Sequence, residues 1–202
     1  MFRLLLISFV VPISVVAQLE SFLSISSFNS NEGPYIETYL SVNSNTLKLI
    51  KNSESFYSGK VSVLINIYSN DSLYFSDKYI LESPNYIFEN NNNLFFIDQQ
   101  RIKLNNGYYI INVDIKDENQ ENDINVIKYT KEMYVNYLNI SISDIQLIER
   151  YEKADSINFL TKNGYNLYPT ALNFYPKSYD SLLFYFETYN TNLIKEKKYL
   201  IN

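Results

Sequence analysis

Val61-Ser62-Val63-Leu64-Ile65-Asn66-Ile67-Tyr68 alternates with a period of two: Val61, Val63, Ile65 and Ile67 share one face, and Ser62 and Asn66 fall on the other. Successive side chains of a strand point to opposite faces, so this run predicts a half-buried antiparallel strand. Tyr108-Tyr109-Ile110-Ile111-Asn112-Val113-Asp114-Ile115 repeats the pattern, with Tyr109, Ile111, Val113 and Ile115 inward and Asn112 and Asp114 outward. Both runs carry the β-branched and aromatic bias of strands.

Working outward, weaker runs predict strands over Tyr35–Val42, Leu73–Leu81, Arg101–Leu104, Ile124–Tyr129 and Met133–Tyr137. Asn105-Asn106-Gly107 predicts a tight hairpin turn, because Asn and Gly tolerate positive φ. Ser58-Gly59 and Ser69-Asn70-Asp71 predict two more turns. Short strands at this spacing, with almost no helical period, predict an all-β fold: an antiparallel immunoglobulin-like β-sandwich.

A boundary is expected near residue 138. Ser143-Asp144-Ile145-Gln146 has the form of a helix-start capping box. Ile140, Ile142, Ile145 and Leu147 nevertheless alternate, and strand is the preferred reading for 144–149. Beyond it, strands are expected at Ser156–Leu160, Tyr165–Tyr168 and Leu182–Tyr189, with a turn at Lys162-Asn163-Gly164. Lys197–Ile201 reads as the return arm of a hairpin with 182–189. The resulting division is a signal peptide over 1–17, a β-sandwich over 18–138 and a second β-rich domain over 139–202. That last stretch is shorter than the roughly 100 residues of a whole sandwich. Two alternatives follow: a truncated second sandwich, or an appendage packed on the first.

The first 17 residues carry the export reading. Arg3 supplies a positive start, Leu4 to Val16 an apolar stretch, and Val15 and Ala17 the small residues at −3 and −1, which places cleavage before Gln18. The run is shorter than the about 20 apolar residues of a spanning helix, and no Cys follows it to accept a lipid. An exported chain without Cys has no disulfides, so its stability is expected to rest on core burial. The expected location is periplasmic, extracellular or cell-surface associated. The sequons Asn70-Asp71-Ser72 and Asn139-Ile140-Ser141 are matches that so Asn-rich a chain produces by chance.

Composition excludes much chemistry. With no His and no Cys, neither Ser-His-Asp nor Cys-His catalysis is open to the chain, nor is a zinc site of the usual ligands. Four glycines and no phosphate-cradling loop argue against nucleotide binding. A net charge of −5 disfavours nucleic acid and anionic membranes as partners. No cofactor is expected.

Several segments together resemble the N-terminal part of the secreted GWxTD-domain proteins of Bacteroidetes bacteria. They are Gly33-Pro34-Tyr35-Ile36-Glu37-Thr38-Tyr39-Leu40-Ser41-Val42, Leu104-Asn105-Asn106-Gly107-Tyr108-Tyr109-Ile110, Ile142-Ser143-Asp144-Ile145-Gln146-Leu147 and Leu183-Phe184-Tyr185-Phe186-Glu187-Thr188-Tyr189-Asn190. The Gly-Trp-x-Thr-Asp motif itself is missing, since the chain has no Trp. The resemblance therefore implies a β-sandwich fold and export rather than a reaction.

Three constellations remain. Glu37, Asp98, Asp114 and Glu187 are the acidic candidates for paired-carboxylate hydrolysis, which needs two such groups about 5–9 Å apart. Glu37 and Glu187 each sit between aromatics, and both are expected to be outward-facing polar residues of alternating strands. Asp117-Glu118-Asn119-Gln120-Glu121-Asn122-Asp123 is rich in oxygen ligands for Ca²⁺ but lacks the EF-hand template, so a solvated hairpin tip is expected. Asn90–Asn93 is a low-complexity loop. The 20 Tyr and 13 Phe could build a docking or sugar-stacking face. The expected function is a non-catalytic interaction or structural module of the bacterial envelope, partnered by another envelope protein or a glycan. A carbohydrate-binding module using exposed Tyr is the alternative.

Overall fold

The computed structural model describes residues 18–51, 56–87, 95–120, 126–172 and 180–193. Outside them lie residues 1–17, expected to be a signal peptide, the Asn90–Asn93 stretch, residues 121–123 of the acidic run and residues 197–201, expected to be a hairpin arm. No described helix is long and apolar enough to cross a membrane.

The fold is all-β and antiparallel. The first part comprises β1 (Ser21–Ser30), β2 (Gly33–Asn43), β3 (Ile50–Lys51), β4 (Tyr57–Ser58), β5 (Lys60–Ser69), β6 (Ser72–Glu82), β7 (Phe95–Lys103), β8 (Gly107–Asp117) and β9 (Val126–Val135). They form two main sheets, ordered β1-β2-β7 and β6-β5-β8-β9, with β3 and β4 as a small hairpin. Two facing antiparallel sheets linked by sheet-crossing connections make an immunoglobulin-like sandwich.

Central alternation builds the core as expected. Val63 lies opposite Ile115, Ile65 opposite Val113 and Ile67 opposite Ile111, all buried. Ile36, Leu40 and Val42 of β2 close the same core from the other sheet. Each such side chain contributes about 1.5–3 kcal/mol by leaving water.

The turns agree less well with expectation. Asn70 and Asp71 do turn the β5–β6 hairpin, with φ of 48° and 61°. Asn105-Asn106-Gly107 is not a hairpin: β7 and β8 belong to different sheets, and none of the three residues has positive φ. The segment is instead a corner held by Tyr109, whose hydroxyl donates to the Asn105 carbonyl (3.1 Å) and accepts from the Asn105 N–H (3.2 Å). This is the tyrosine corner of immunoglobulin-like sandwiches. Ser58-Gly59 is no hairpin tip either, since it passes from β4 into β5. Gly59 is required there because a Cβ would lie 2.8 Å from Leu47 Cδ1. The described parts of the two runs expected at Ile124–Tyr129 and Met133–Tyr137 join in one strand, β9, which ends at Val135. The alternation also left β1 unmarked, because its serines at 26 and 27 are buried.

The second part holds β10 (Ser141–Ile142), β11 (Gln146–Lys153), β12 (Thr161–Lys162), β13 (Tyr165–Pro169), β14 (Leu183–Tyr185) and β15 (Thr188–Tyr189). One sheet runs β12-β13-β11-β14, and β10 pairs with β15. Of the strand expected over 144–149, residues 146–149 lie in β11 while 144 and 145 precede it, and the 162–164 turn forms with Asn163 and Gly164 at φ of 49° and 83°. Residues 156–160 form no strand. Leu182–Tyr189 is two strands rather than one, because β14 pairs with β11 while β15 pairs with β10, with a break at Phe186-Glu187.

This part packs against the outer face of the β1-β2-β7 sheet. Asp144 binds the β1 edge, its carboxylate accepting from the Ser27 N–H and hydroxyl (2.9 Å each). Its own N–H donates to the Ser27 carbonyl (3.1 Å). In consequence β2 is buried on both faces.

Candidate functional site

Strand parity puts Tyr35, Glu37 and Tyr39 on the β2 face opposite the core. Glu37 does point away from the core, as the alternation implies. It is nevertheless fully buried, at 0% exposure, because the second part covers that face. The expectation of an outward, solvated carboxylate is corrected: sheet parity was right, but a third layer replaces solvent.

Four donors converge on this carboxylate. Arg101, directly opposite on β7, donates to Oε1 from Nε (2.9 Å) and Nη2 (2.5 Å). Tyr39 donates its hydroxyl to Oε2, and Lys162 Nζ lies 2.7 Å from the same oxygen. Lys162 comes from the short strand before the Asn163-Gly164 turn. Its ammonium also donates to Gln146 Oε1 (3.0 Å) and sits 3.3 Å from the Phe28 ring centroid. Arg101 stacks over Tyr35 at 4.9 Å. Burial lowers the pKa of Lys162, an effect that Glu37 and Glu187 oppose and Arg101 reinforces. A buried ion pair needs such saturation, because desolvating two charges costs several kcal/mol each.

Glu187 lies in the same joint. Tyr185 and Tyr189 each donate to one of its oxygens (2.6 Å), while its N–H donates to Ser143 Oγ (2.9 Å). It too departs from the expected place on an alternating strand, since it occupies the break between β14 and β15 and is half-buried. Burial first, then the charges of Glu37 and Glu187, push the Tyr35 hydroxyl well above its ordinary range. Glu37 and Glu187 are thus brought to one cluster with Lys162.

The other two acids stay apart from it. Asp98 accepts from Tyr79 (2.6 Å) and Gln100 (2.9 and 3.1 Å). Asp114 faces Lys128 at 3.8 Å on the opposite, solvent-facing sheet.

The acidic loop is corrected in part. Asp117 is buried rather than solvated, accepting from the Lys48 N–H (2.7 Å) and the Asn119 N–H (2.9 Å). Among the described residues no group of three or more acidic side chains is arranged to hold a metal.

Three concavities border the joint. A cleft of about 520 Å³ at the β1–β2 turn is lined by Ser30, Glu32, Tyr35, Arg101 and Lys103 among others. An apolar cleft of about 350 Å³ on the second sheet is walled by Ile148, Tyr151, Tyr165, Leu167, Phe184 and Tyr185, with Lys162 also lining it. A groove of about 220 Å³ between β7 and the second part includes Gln99, Arg150 and Tyr168.

The sequence marked Glu37 and Glu187 but missed Lys162, Gln146, Arg101 and Phe28 as a set. The available signal was the repeated Tyr-x-Glu-x-Tyr, at 35–39 and 185–189, which places each acid beside phenols able to donate to it. No family model, curated protein or solved structure matches the chain.

Proposed function

We propose that the protein is an exported, non-catalytic module of the bacterial envelope, related to the N-terminal region of GWxTD-domain proteins, and that it works by protein–protein contact. What supports this reading is the commitment of its acids: the oxygens of Glu37 are taken by Arg101, Tyr39 and Lys162, and those of Glu187 by two tyrosines. The observation that carries the contact surface is the apolar character left exposed beyond residue 137. Ile140, Ile142, Ile145, Tyr151, Ile157 (92% exposed), Phe159 and Phe184 all reach solvent there. Exposed apolar surface of that kind favours association with another protein.

The test is a photo-crosslinking residue at position 151 of the full chain, in the cells it comes from. A discrete protein adduct that Phe184→Ser abolishes supports the reading. Labelling of solvent alone overturns it.

A second reading rests on a different face. Tyr108 and Tyr134 stand directly opposite each other on β8 and β9, and both are exposed (45% and 69%). Adjacent phenol rings on an open sheet suit sugar stacking. Glycan-array binding lost on Tyr134→Ala favours this alternative.

A further inference from the structure

The three functional groups at the centre of the joint are an amine, a carboxamide and a carboxylate, and all are buried. Lys162 is 7% exposed, Gln146 1% and Glu37 0%. Lys162 Nζ lies 3.0 Å from Gln146 Oε1 and 2.7 Å from Glu37 Oε2. The amide carbon is one carbonyl bond beyond Oε1, so nucleophile, electrophile and proton acceptor already share one pocket. We propose that Lys162 and Gln146 are the partners of a self-formed intramolecular amide cross-link, with Glu37 as the general base.

The step balances without an external reagent. At mildly alkaline pH Lys162 first gives up its ammonium proton to water, and the neutral Nζ then attacks Gln146 Cδ, forming the new C–N bond. Glu37 takes the proton shed by the attacking nitrogen and passes it to the departing amide nitrogen. The old C–N bond breaks, and one ammonia leaves, to be protonated in water. No atom is oxidised or reduced.

Three physical features favour it. Holding the reactants together replaces a bimolecular encounter, an effect worth effective molarities of about 10⁵–10⁸ M. Burial, the Phe28 ring beneath the amine and the neighbouring Arg101 charge define where the reacting nitrogen sits, and burial lowers its pKa toward the nucleophilic form. The product also removes a buried ammonium, yet leaves no orphaned carboxylate, because Arg101 and Tyr39 still hold Glu37. In a chain without cysteine, this amide would be a covalent staple within the second part, joining β11 to β12.

Mass spectrometry of the purified, unmodified full chain tests the proposal. Intact mass alone is ambiguous, because cyclisation of an exposed N-terminal Gln18 or of Asn163-Gly164 also releases ammonia. The decisive readout is a tryptic digest. A cross-link gives one branched peptide joining residues 132–150 to residues 154–177, since modified Lys162 is no longer cleaved. Recovery of only the separate, unbranched peptides after the protein has been held folded at mildly alkaline pH overturns the proposal.

Glu37→Asp keeps the charge but draws the carboxylate back, and should slow branching at least tenfold. Branching at the unaltered rate in that variant overturns the role given to Glu37. Should Glu37→Asp not fold, Gln146→Ala in its place must abolish the branched peptide. A branched peptide that survives Gln146→Ala overturns the assignment of the acceptor.

Discussion

The sandwich over Ser21–Val135 and the part that follows Ile140 are both antiparallel β structure, but they are stabilised by opposite means. The first has long strands whose inward residues meet as apolar pairs, such as Ile65 with Val113 and Ile67 with Ile111. The second has strands of two to eight residues, and its contact with the first runs through Asp144 on Ser27, Tyr189 on Asn29 and Lys162 on Glu37. Apolar packing tolerates small errors of position, whereas a buried ionic joint requires every partner. The second part should therefore be the more sensitive to charge and the first to volume.

The largest expected effect comes from alkaline pH. Burial first, with neighbouring carboxylates adding, pushes Tyr137 up to about 12, and Tyr35, Tyr39, Tyr185 and Tyr189 higher still. All five border the joint. A tyrosine whose folded pKa is raised contributes stability that is fully present below its free value near 10, and lost as pH climbs through the folded value. Lys162 has the opposite sign: its folded pKa is lowered, so its contribution grows as pH rises toward the free lysine value. Five groups outweigh one. Urea midpoints should fall steeply above pH about 10, with these phenols ionising only as the chain unfolds. Tyrosinate absorbance that reaches the value for all 20 tyrosines before the loss of β circular dichroism would contradict this account.

Next in size is Glu37→Gln. It leaves the buried Lys162 without its counter-charge and the half-exposed Arg101 without its partner, which should cost about 3–5 kcal/mol, most of it at Lys162. Ile65→Val, a loss of one methylene from the sandwich core, should cost only about 0.5–1.5 kcal/mol. Chemical denaturation of the two variants compares joint with core directly. Equal losses would mean that the joint is no more demanding than ordinary packing.

The sequence made the first part far more legible than the second, and the reason is physical. Period-two alternation reports which side of a strand meets a core, so β5 and β8 could be read residue by residue. It does not report whether the other side meets water or a third layer. Glu37 illustrates the gap: its face follows from parity, while its burial depends on residues more than 100 positions away. Ser26 is hidden by the same covering layer, whereas Ser27, on the core side opposite Ile36, is closed off by Tyr137 and Asp144; with both faces buried, β1 carried no visible pattern. Lys162 looked like part of a turn, since nothing local says that a lysine before Asn-Gly will have its ammonium against a phenylalanine ring. After residue 155 the expected strand at Tyr165–Tyr168 did form, while 156–160 is no strand and 182–189 splits in two, since two-residue pairings are fixed by their tertiary partners rather than by their own propensities.

The smallest effect tests a feature internal to the first part. Tyr109→Phe removes only the hydroxyl that ties the β7–β8 corner to the Asn105 backbone, leaving the buried ring against Tyr74 at 5.3 Å. A hydrogen bond of this kind contributes about 0.5–1.5 kcal/mol. The loss should be visible as a shift in denaturation midpoint without a change in the slope of the transition, because the same surface is exposed on unfolding. Hydrogen exchange should quicken at the corner, around Leu104 to Gly107, and not at β11 or β13. Were β11 and β13 to quicken as well, the corner and the joint would be one cooperative unit, and the contrast between an apolar sandwich and an ionic attachment would have to be redrawn as a single energetic network.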